Sequence, residues 1–340
     1  VPGKNIKIIL NYVVGPLLFC LLLYSIYHQV QRQPNWQQSL RQIQQAFDST
    51  SAWKLAVVLG LMLVNWGLEA RKWQVIISRL QQLSWIQCLR ATFTGTTLAF
   101  FTPNRMGEYM GRVLYVDEGK RIQAISLTIV GSLGQLLITL LLGIAGLVQI
   151  RSEMIQKAAE PGSVVFWLNG VLYVTILATC FLTLLYFRIS WLIRWIEKIP
   201  RIERYVRYIR VLDNFNLTML FRILSLSASR YLVFVLQYFI LFDVFKVELN
   251  AWQVFWSVSV VFLVLAIIPT IALITELGVR WKTSVEVIQL FSVNVVGILA
   301  TSLAIWIINL VIPALIGSLL ILSVRLFNYK EEKKRDVKRQ

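Results

Sequence analysis

The sequence predicts an all-α polytopic membrane protein with about six full transmembrane helices and two re-entrant helical hairpins in an inverted repeat. Three observations carry that expectation. Of 340 residues, 57% are hydrophobic and only 15% are charged, against about 25% in an ordinary soluble domain. A soluble fold of this size keeps a large exposed shell and cannot hide so much apolar surface; mean hydropathy is +0.66. The chain also supplies repeated apolar stretches near the ~20 residues that a bilayer crossing takes. Two further apolar stretches are interrupted midway by Pro, Gly and charge. Together these exclude a secreted disulfide scaffold, a coiled coil, a disordered regulator and a soluble enzyme.

The first crossing is expected at 8–27. Lys4 and Lys7 precede an apolar stretch longer than a signal-peptide core, and no small-x-small cleavage site follows, so a retained helix is expected. Crossings are next expected at 52–70, 122–150, 164–187 and 219–242, with interrupted stretches at 91–116 and 252–283. The last stretch, 288–327, is too long for one upright helix at 1.5 Å per residue. Either Pro313 kinks it or part of it belongs to a preceding half-helix.

Loop charge sets the orientation. Segments 71–90 and 188–222 and the tail are rich in Lys and Arg, whereas 28–51, 151–163 and 243–251 are poor in them. Both termini are therefore expected in the cytoplasm. That holds only if 91–116 enters and leaves on the cytoplasmic side and 252–283 on the outer side.

This arrangement exposes an internal repeat. Residues 1–163 and 164–329 each read helix, helix, hairpin, helix, followed by a basic tail at 330–340. Three crossings per half give the halves opposite topology, as in transporters with broken midplane helices. The first hairpin reads Thr102-Pro103-Asn104-Arg105-Met106-Gly107-Glu108 and continues to Arg112. The second runs from Pro269 through Glu276 and Gly278 to Arg280. Each has a Pro at its break, then Glu and Arg four apart, on one helix face. Pro103, Gly107, Pro269 and Gly278 are the expected hairpin breaks.

The chain resembles one membrane family at these residues. Thr102 to Glu108 with Arg112 is similar to its Thr-Pro-x-Arg-x-Gly-Glu signature. The stretch from Pro269 to Arg280 is similar to its second signature, a Pro followed by Gly-Gly-x-Gly-x-Arg-Glu. Thr275 and Glu276 here stand at the Gly pair, and Trp281 at the final Glu. The family is the transmembrane flippase domain of lysylphosphatidylglycerol synthases and related stand-alone proteins, and the resemblance runs from about 8 to 327. It implies lipid translocation. These residues hold no soluble aminoacyl-transfer domain, so the chain is expected not to make lysyl-lipid.

The charges can be weighed on their own. Ionisable groups at membrane depth are costly and face protein or water. Arg105, Glu108 and Arg112 form either a salt-bridged set holding the hairpin closed, or a site in which one Arg is spent on Glu108 and another is free for phosphate. Guanidinium suits phosphate through its two parallel donors. Arg230, midway along 219–242, needs a partner, which Glu108 or Glu276 is expected to supply, or a lipid phosphate if neither does. Arg105, Glu108, Arg112, Arg230, Glu276 and Arg280 are thus the candidate substrate-binding residues. Glu69, followed by Arg71 and Lys72, reads as a boundary residue. Asn65, Gln135, Asn294 and Asn309 read as interhelical glue, and Gly107 and Gly111 as packing positions. Trp36, Trp53, Trp73, Trp85, Trp167 and Trp252 read as interfacial anchors.

The net charge of +17 fits cytoplasmic loops and attraction to anionic lipid, and no nucleic-acid motif accompanies it. The stretch 188–212, with Arg201, Arg204, Arg207 and Arg210 among aromatics, reads as a basic interfacial element, either a solvated linker or a collector of anionic headgroups. Cys20, Cys88 and Cys180 are far apart and His28 is the single histidine, so neither disulfides nor a metal site is expected, and no cofactor. No Walker A, Gly-x-Ser-x-Gly or His-Glu-x-x-His motif occurs. The expected activity is movement of an anionic lipid, of phospholipid or polyprenyl-phosphate class, in a multi-pass bacterial inner-membrane protein that has no ATPase and is not an enzyme. Oligomeric state is left open. The alternatives are a membrane enzyme acting on lipid headgroups, a small-anion transporter, and a structural partner of another enzyme.

Overall fold

The computed structural model describes residues 35–47, 52–102, 105–157, 161–188, 210–268 and 272–321, with Tyr24, Tyr27 and Gln31. Among them the chain is all helical. The helices are α1 (Trp36–Phe47), α2 (Ala52–Ile77), α3 (Trp85–Ala99), α4 (Gly107–Val113) and α5 (Arg121–Gln156). They continue with α6 (Pro161–Phe187), α7 (Leu217–Val244), α8 (Ala251–Ile267), α9 (Ala272–Ile288) and α10 (Val295–Ile321). Five are long and apolar enough to cross a membrane: α2, α5, α6, α7 and α10. The expected crossing at 8–27 lies outside the described residues except for Tyr24 and Tyr27. So do His28, Cys20, Pro103, Pro269, nearly all of the basic stretch 188–212, and the tail.

Local chemistry explains where the helices start. Ser84 and Gln87 form a reciprocal capping box at α3, and Asn250 and Gln253 form another at α8. These two helices each open one of the interrupted stretches. Asn216 caps α7 through the Met219 N–H, and Asn294 caps α10 through the Gly297 N–H.

α3 and α4 fold back on one another as an antiparallel pair. A Cβ on Gly111 would lie 2.4 Å from the Gly95 Cα, and one on Gly107 would lie 2.2 Å from the Leu98 oxygen. Only glycine permits this approach. The Gly107 N–H also donates to Thr102 Oγ1 at 2.6 Å across the break. In the second half, α8 and α9 pack together. α8 also packs closely along α5, where a Cβ on Gly143 would lie 2.6 Å from Leu263 Cβ.

Several expectations are corrected. The last stretch does not begin at 288: α9 runs to Ile288, a turn follows, and α10 starts at Val295. The second interrupted stretch accordingly extends past 283. Within α10 the turn widens to a π segment at Ile307–Val311, where the Ile312 N–H donates to the Ile307 oxygen. Pro313 accounts for it, since its ring clashes with the carbonyl four residues back in a regular helix. The segment 28–51, read as a loop, holds α1, which packs on α10 with Ser39 and Ala46 buried. Trp73, read as an interfacial anchor, is fully buried and donates to Thr128 Oγ1 at 3.2 Å. Trp53, Trp85, Trp167 and Trp252 are exposed.

The interior comprises several apolar clusters. One joins the two interrupted stretches: Phe100, at the end of α3, shares it with Leu277 and Trp281 of α9 and with Trp306 of α10. α6 is peripheral and exposes Phe166, Trp167, Tyr173, Leu177 and Phe181.

Candidate functional site

A cavity of about 390 Å³ opens among α2, the α3–α4 pair, α5, α7, the α8–α9 pair and α10. Five of the six candidate residues line it: Arg105, Glu108, Arg230, Glu276 and Arg280. Arg112 does not. It is buried behind the wall, where it holds two of the cavity's carboxylates.

Glu69 organises the charges, and sequence reasoning misplaced it. It is 4% exposed, not a boundary residue. Its Oε1 accepts from Arg112 Nη2 at 2.7 Å, and its Oε2 lies 2.7 Å from Lys72 Nζ. Oε2 also accepts from Arg230 Nη1. Three helices thus converge on one carboxylate: α2, α4 and α7. The α2 helix continues six residues past Arg71, and this extension keeps Glu69 and Lys72 inside the packed region.

Arg230 is therefore held by Glu69, not by Glu108 or Glu276 as expected. Its Nε donates to Asn65 Oδ1 at 2.8 Å, and its guanidinium carbon lies 5.7 Å from the Trp66 ring centre. Asn65 in turn donates to Asn309 Oδ1 at 3.3 Å, joining α2 to the π segment of α10. Asn65 and Asn309 do act between helices, and Asn294 both caps α10 and donates to the Phe245 and Lys246 oxygens at the end of α7, at 3.1 and 3.0 Å.

The two Glu–Arg pairs expected from four-residue spacing both form, in different surroundings. Arg112 Nη2 bridges Glu108 Oε1 and Glu69 Oε1. Arg280 Nη2 donates to Glu276 Oε1 at 2.9 Å, and its Nη1 to the Tyr238 hydroxyl at 3.1 Å. The Nε atoms of Arg112 and Arg280 are buried without a hydrogen-bond partner.

Arg105 is the exception among the cations. Its side chain is 35% exposed, and its Nε lies 3.7 Å from Glu108 Oε2, an ion pair beyond hydrogen-bond length. Its φ is +59°, a left-handed conformation that costs a non-glycine residue on the order of 1 kcal/mol. It stands two residues before the start of α4.

Gly278, expected at a hairpin break, lies inside α9. It borders a separate apolar cleft of about 580 Å³ with Leu147, Trp167 and Val264. Sequence reasoning also missed Lys72, Trp66 and Tyr238 as site residues, because each sits in an apolar or boundary context that gives no local signal.

No curated protein matches the chain. A family model described as lysylphosphatidylglycerol synthase TM region matches residues 8–317. The match covers both helix pairs, the cavity between them and the first motif from Thr102 to Arg112, and the chain belongs to that family.

Proposed function

We propose that the protein moves an anionic lipid between leaflets through the central cavity, with no nucleotide hydrolysis and no chemical change to the lipid. The charge imbalance at the cavity carries this reading. Among the described residues, Lys72, Arg105, Arg112, Arg230 and Arg280 are gathered in and behind its wall with only Glu69, Glu108 and Glu276. Unneutralised charge at membrane depth is costly, and an anionic headgroup supplies what is missing. Phe234, Phe262, Leu265 and Leu310 continue the same wall, so apolar surface for an acyl chain adjoins the charges.

The carboxylates act as exchangeable counterions. Arg105 is the first cation available, since its pairing with Glu108 is loose. A phosphate takes the guanidinium in a forked contact that one distant carboxylate oxygen does not provide. Arg112 stays behind and holds Glu108 and Glu69 in place. In this reading α3–α4 and α8–α9 are re-entrant pairs entering from opposite sides. Six crossings make an inverted repeat with both termini in the cytoplasm of a bacterial inner membrane.

The test is reconstitution in vesicles with headgroup-labelled phosphatidylglycerol or phosphatidylcholine. The anionic lipid should cross faster, and lipid masses should stay unchanged. Equal rates contradict the reading, and a new headgroup-modified species would favour an enzyme.

A further inference from the structure

A second basic cleft, of about 520 Å³, lies between the end of α2 and the start of α7. It is separate from the central cavity: Lys72 lines that cavity, while its neighbour Arg71 lines the cleft. Among the described residues the walls present three guanidinium groups, Arg71, Arg79 and Arg222, and no carboxylate. Among the described residues none of the three has a carboxylate partner. Arg71 touches Gln74 Oε1 and Arg79 Nε lies 3.2 Å from Met219 Sδ, so the partners they have among the described residues are uncharged.

The neighbouring polar groups are already engaged. Ser78 Oγ donates to the Val75 oxygen at 2.8 Å, Gln74 Nε2 to the Leu83 oxygen at 3.0 Å, and Asn216 caps α7. These bonds fix the walls, and each guanidinium keeps further N–H donors beyond the Arg71–Gln74 and Arg79–Met219 contacts. Buried Met219 adds an apolar surface. The first turn of α7, facing the cleft through Asn216 and Thr218, adds the positive end of its dipole.

We propose that this cleft binds a phosphate group carrying two or more negative charges, a phosphomonoester or diphosphate, at this end of the helix bundle. The charge count selects the class. Three guanidiniums without an acid exceed what the single charge of a phosphodiester balances, whereas a monoester or diphosphate matches them and offers terminal oxygens for forked contacts. The group is the headgroup of a membrane lipid or a free phosphate. This inference does not rest on the reading of the central cavity.

The experiment compares the purified protein in lipid nanodiscs containing phosphatidic acid or phosphatidylglycerol, adjusted to equal surface charge, and separately with free pyrophosphate. Lipid retention is read by native mass spectrometry, and pyrophosphate binding by calorimetry. The expected result is roughly tenfold tighter binding of the monoester lipid or of pyrophosphate than of the diester, consistent with one added charge-assisted contact. Arg222→Gln and Arg79→Gln should each remove most of that preference, and Arg222→Lys should restore part of it. Arg121→Gln, which lines neither this cleft nor the central cavity, should leave it unchanged. Tight phosphatidic acid with weak pyrophosphate assigns a lipid, and the converse a soluble ligand. Equal retention of both lipids with no pyrophosphate binding overturns the proposal. So does a preference that survives Arg79→Gln and Arg222→Gln in protein eluting as a single folded peak.

Discussion

Arg112 Nη2 lies 2.7 Å from Glu69 Oε1 and also donates to Glu108, so one guanidinium on the short α4 helix is shared between a carboxylate of its own helix and one of α2. Spacing along α4 predicts the bond to Glu108. The bond to Glu69 arises only from tertiary packing, and it moves Arg112 from the expected headgroup site to the scaffold behind it.

Arg112→Ala should therefore act first on stability. Its side chain is 3% exposed, and removing it leaves Glu69 with Lys72 and Arg230 but Glu108 with only the loosely placed Arg105. Breaking a buried pair in this way costs about 3–5 kcal/mol. The expected outcome is a clear fall in the thermal midpoint of detergent-purified protein, with partial recovery in Arg112→Lys. An unchanged midpoint would show that the bridge is not structural.

The close contact between α3 and α4 makes a second prediction. Gly111→Val puts carbon where the Gly95 backbone lies, and overpacking of this kind costs about 1–3 kcal/mol or more. Gly170→Val, on α6, has nothing within 4 Å of the added Cβ and serves as the control. The first variant should express poorly or melt early, and the second should match the wild type. Equal melting of the two would contradict the described helix pair.

Trp73 and Trp53 should also behave differently. Trp73→Ala empties a fully buried site and removes the indole bond to Thr128, at a cost of about 3–5 kcal/mol. Trp53 is 64% exposed, and Trp53→Ala should shift the midpoint little. Thermal unfolding of both variants in one detergent checks the ranking.

Topology is tested by single cysteines at Gln82 and Lys157 in protein whose native cysteines are replaced. Lys157 follows the end of α5 and Gln82 follows the end of α2. The inverted repeat requires an impermeant thiol reagent to reach them from opposite sides of the membrane. Labelling from the same side would remove the inverted arrangement.

The helices with uninterrupted apolar runs were legible because composition alone marks them. Both interrupted stretches hold helix pairs, α3–α4 and α8–α9, but the Glu–Arg pairs and Gly278 lie inside the helices rather than between them, and Pro103 and Pro269 lie outside the described residues. Glu69 was not, because Arg71 and Lys72 after it resemble the end of a crossing. Only the continuation of α2 to Ile77 and the arrival of Arg112 and Arg230 show that it lies inside. Trp73 was misread for the same reason. The α1 helix was missed through its polar composition, although Trp36, Leu40 and Ile43 recur at helical spacing. The π segment had one local sign, Pro313, which was read as a kink.

Arg105 gives the most direct test of the central claim. It lines the cavity, is partly exposed, and is loosely paired with Glu108, so its loss should spare the fold. The measurement is the rate at which Arg105→Gln protein in vesicles moves labelled phosphatidylglycerol and labelled phosphatidylcholine, alongside its thermal midpoint. The account predicts an unchanged midpoint and a roughly tenfold slower phosphatidylglycerol rate, the scale of one lost charge-assisted contact, with phosphatidylcholine unaffected. Wild-type rates for both lipids in the folded variant would contradict it.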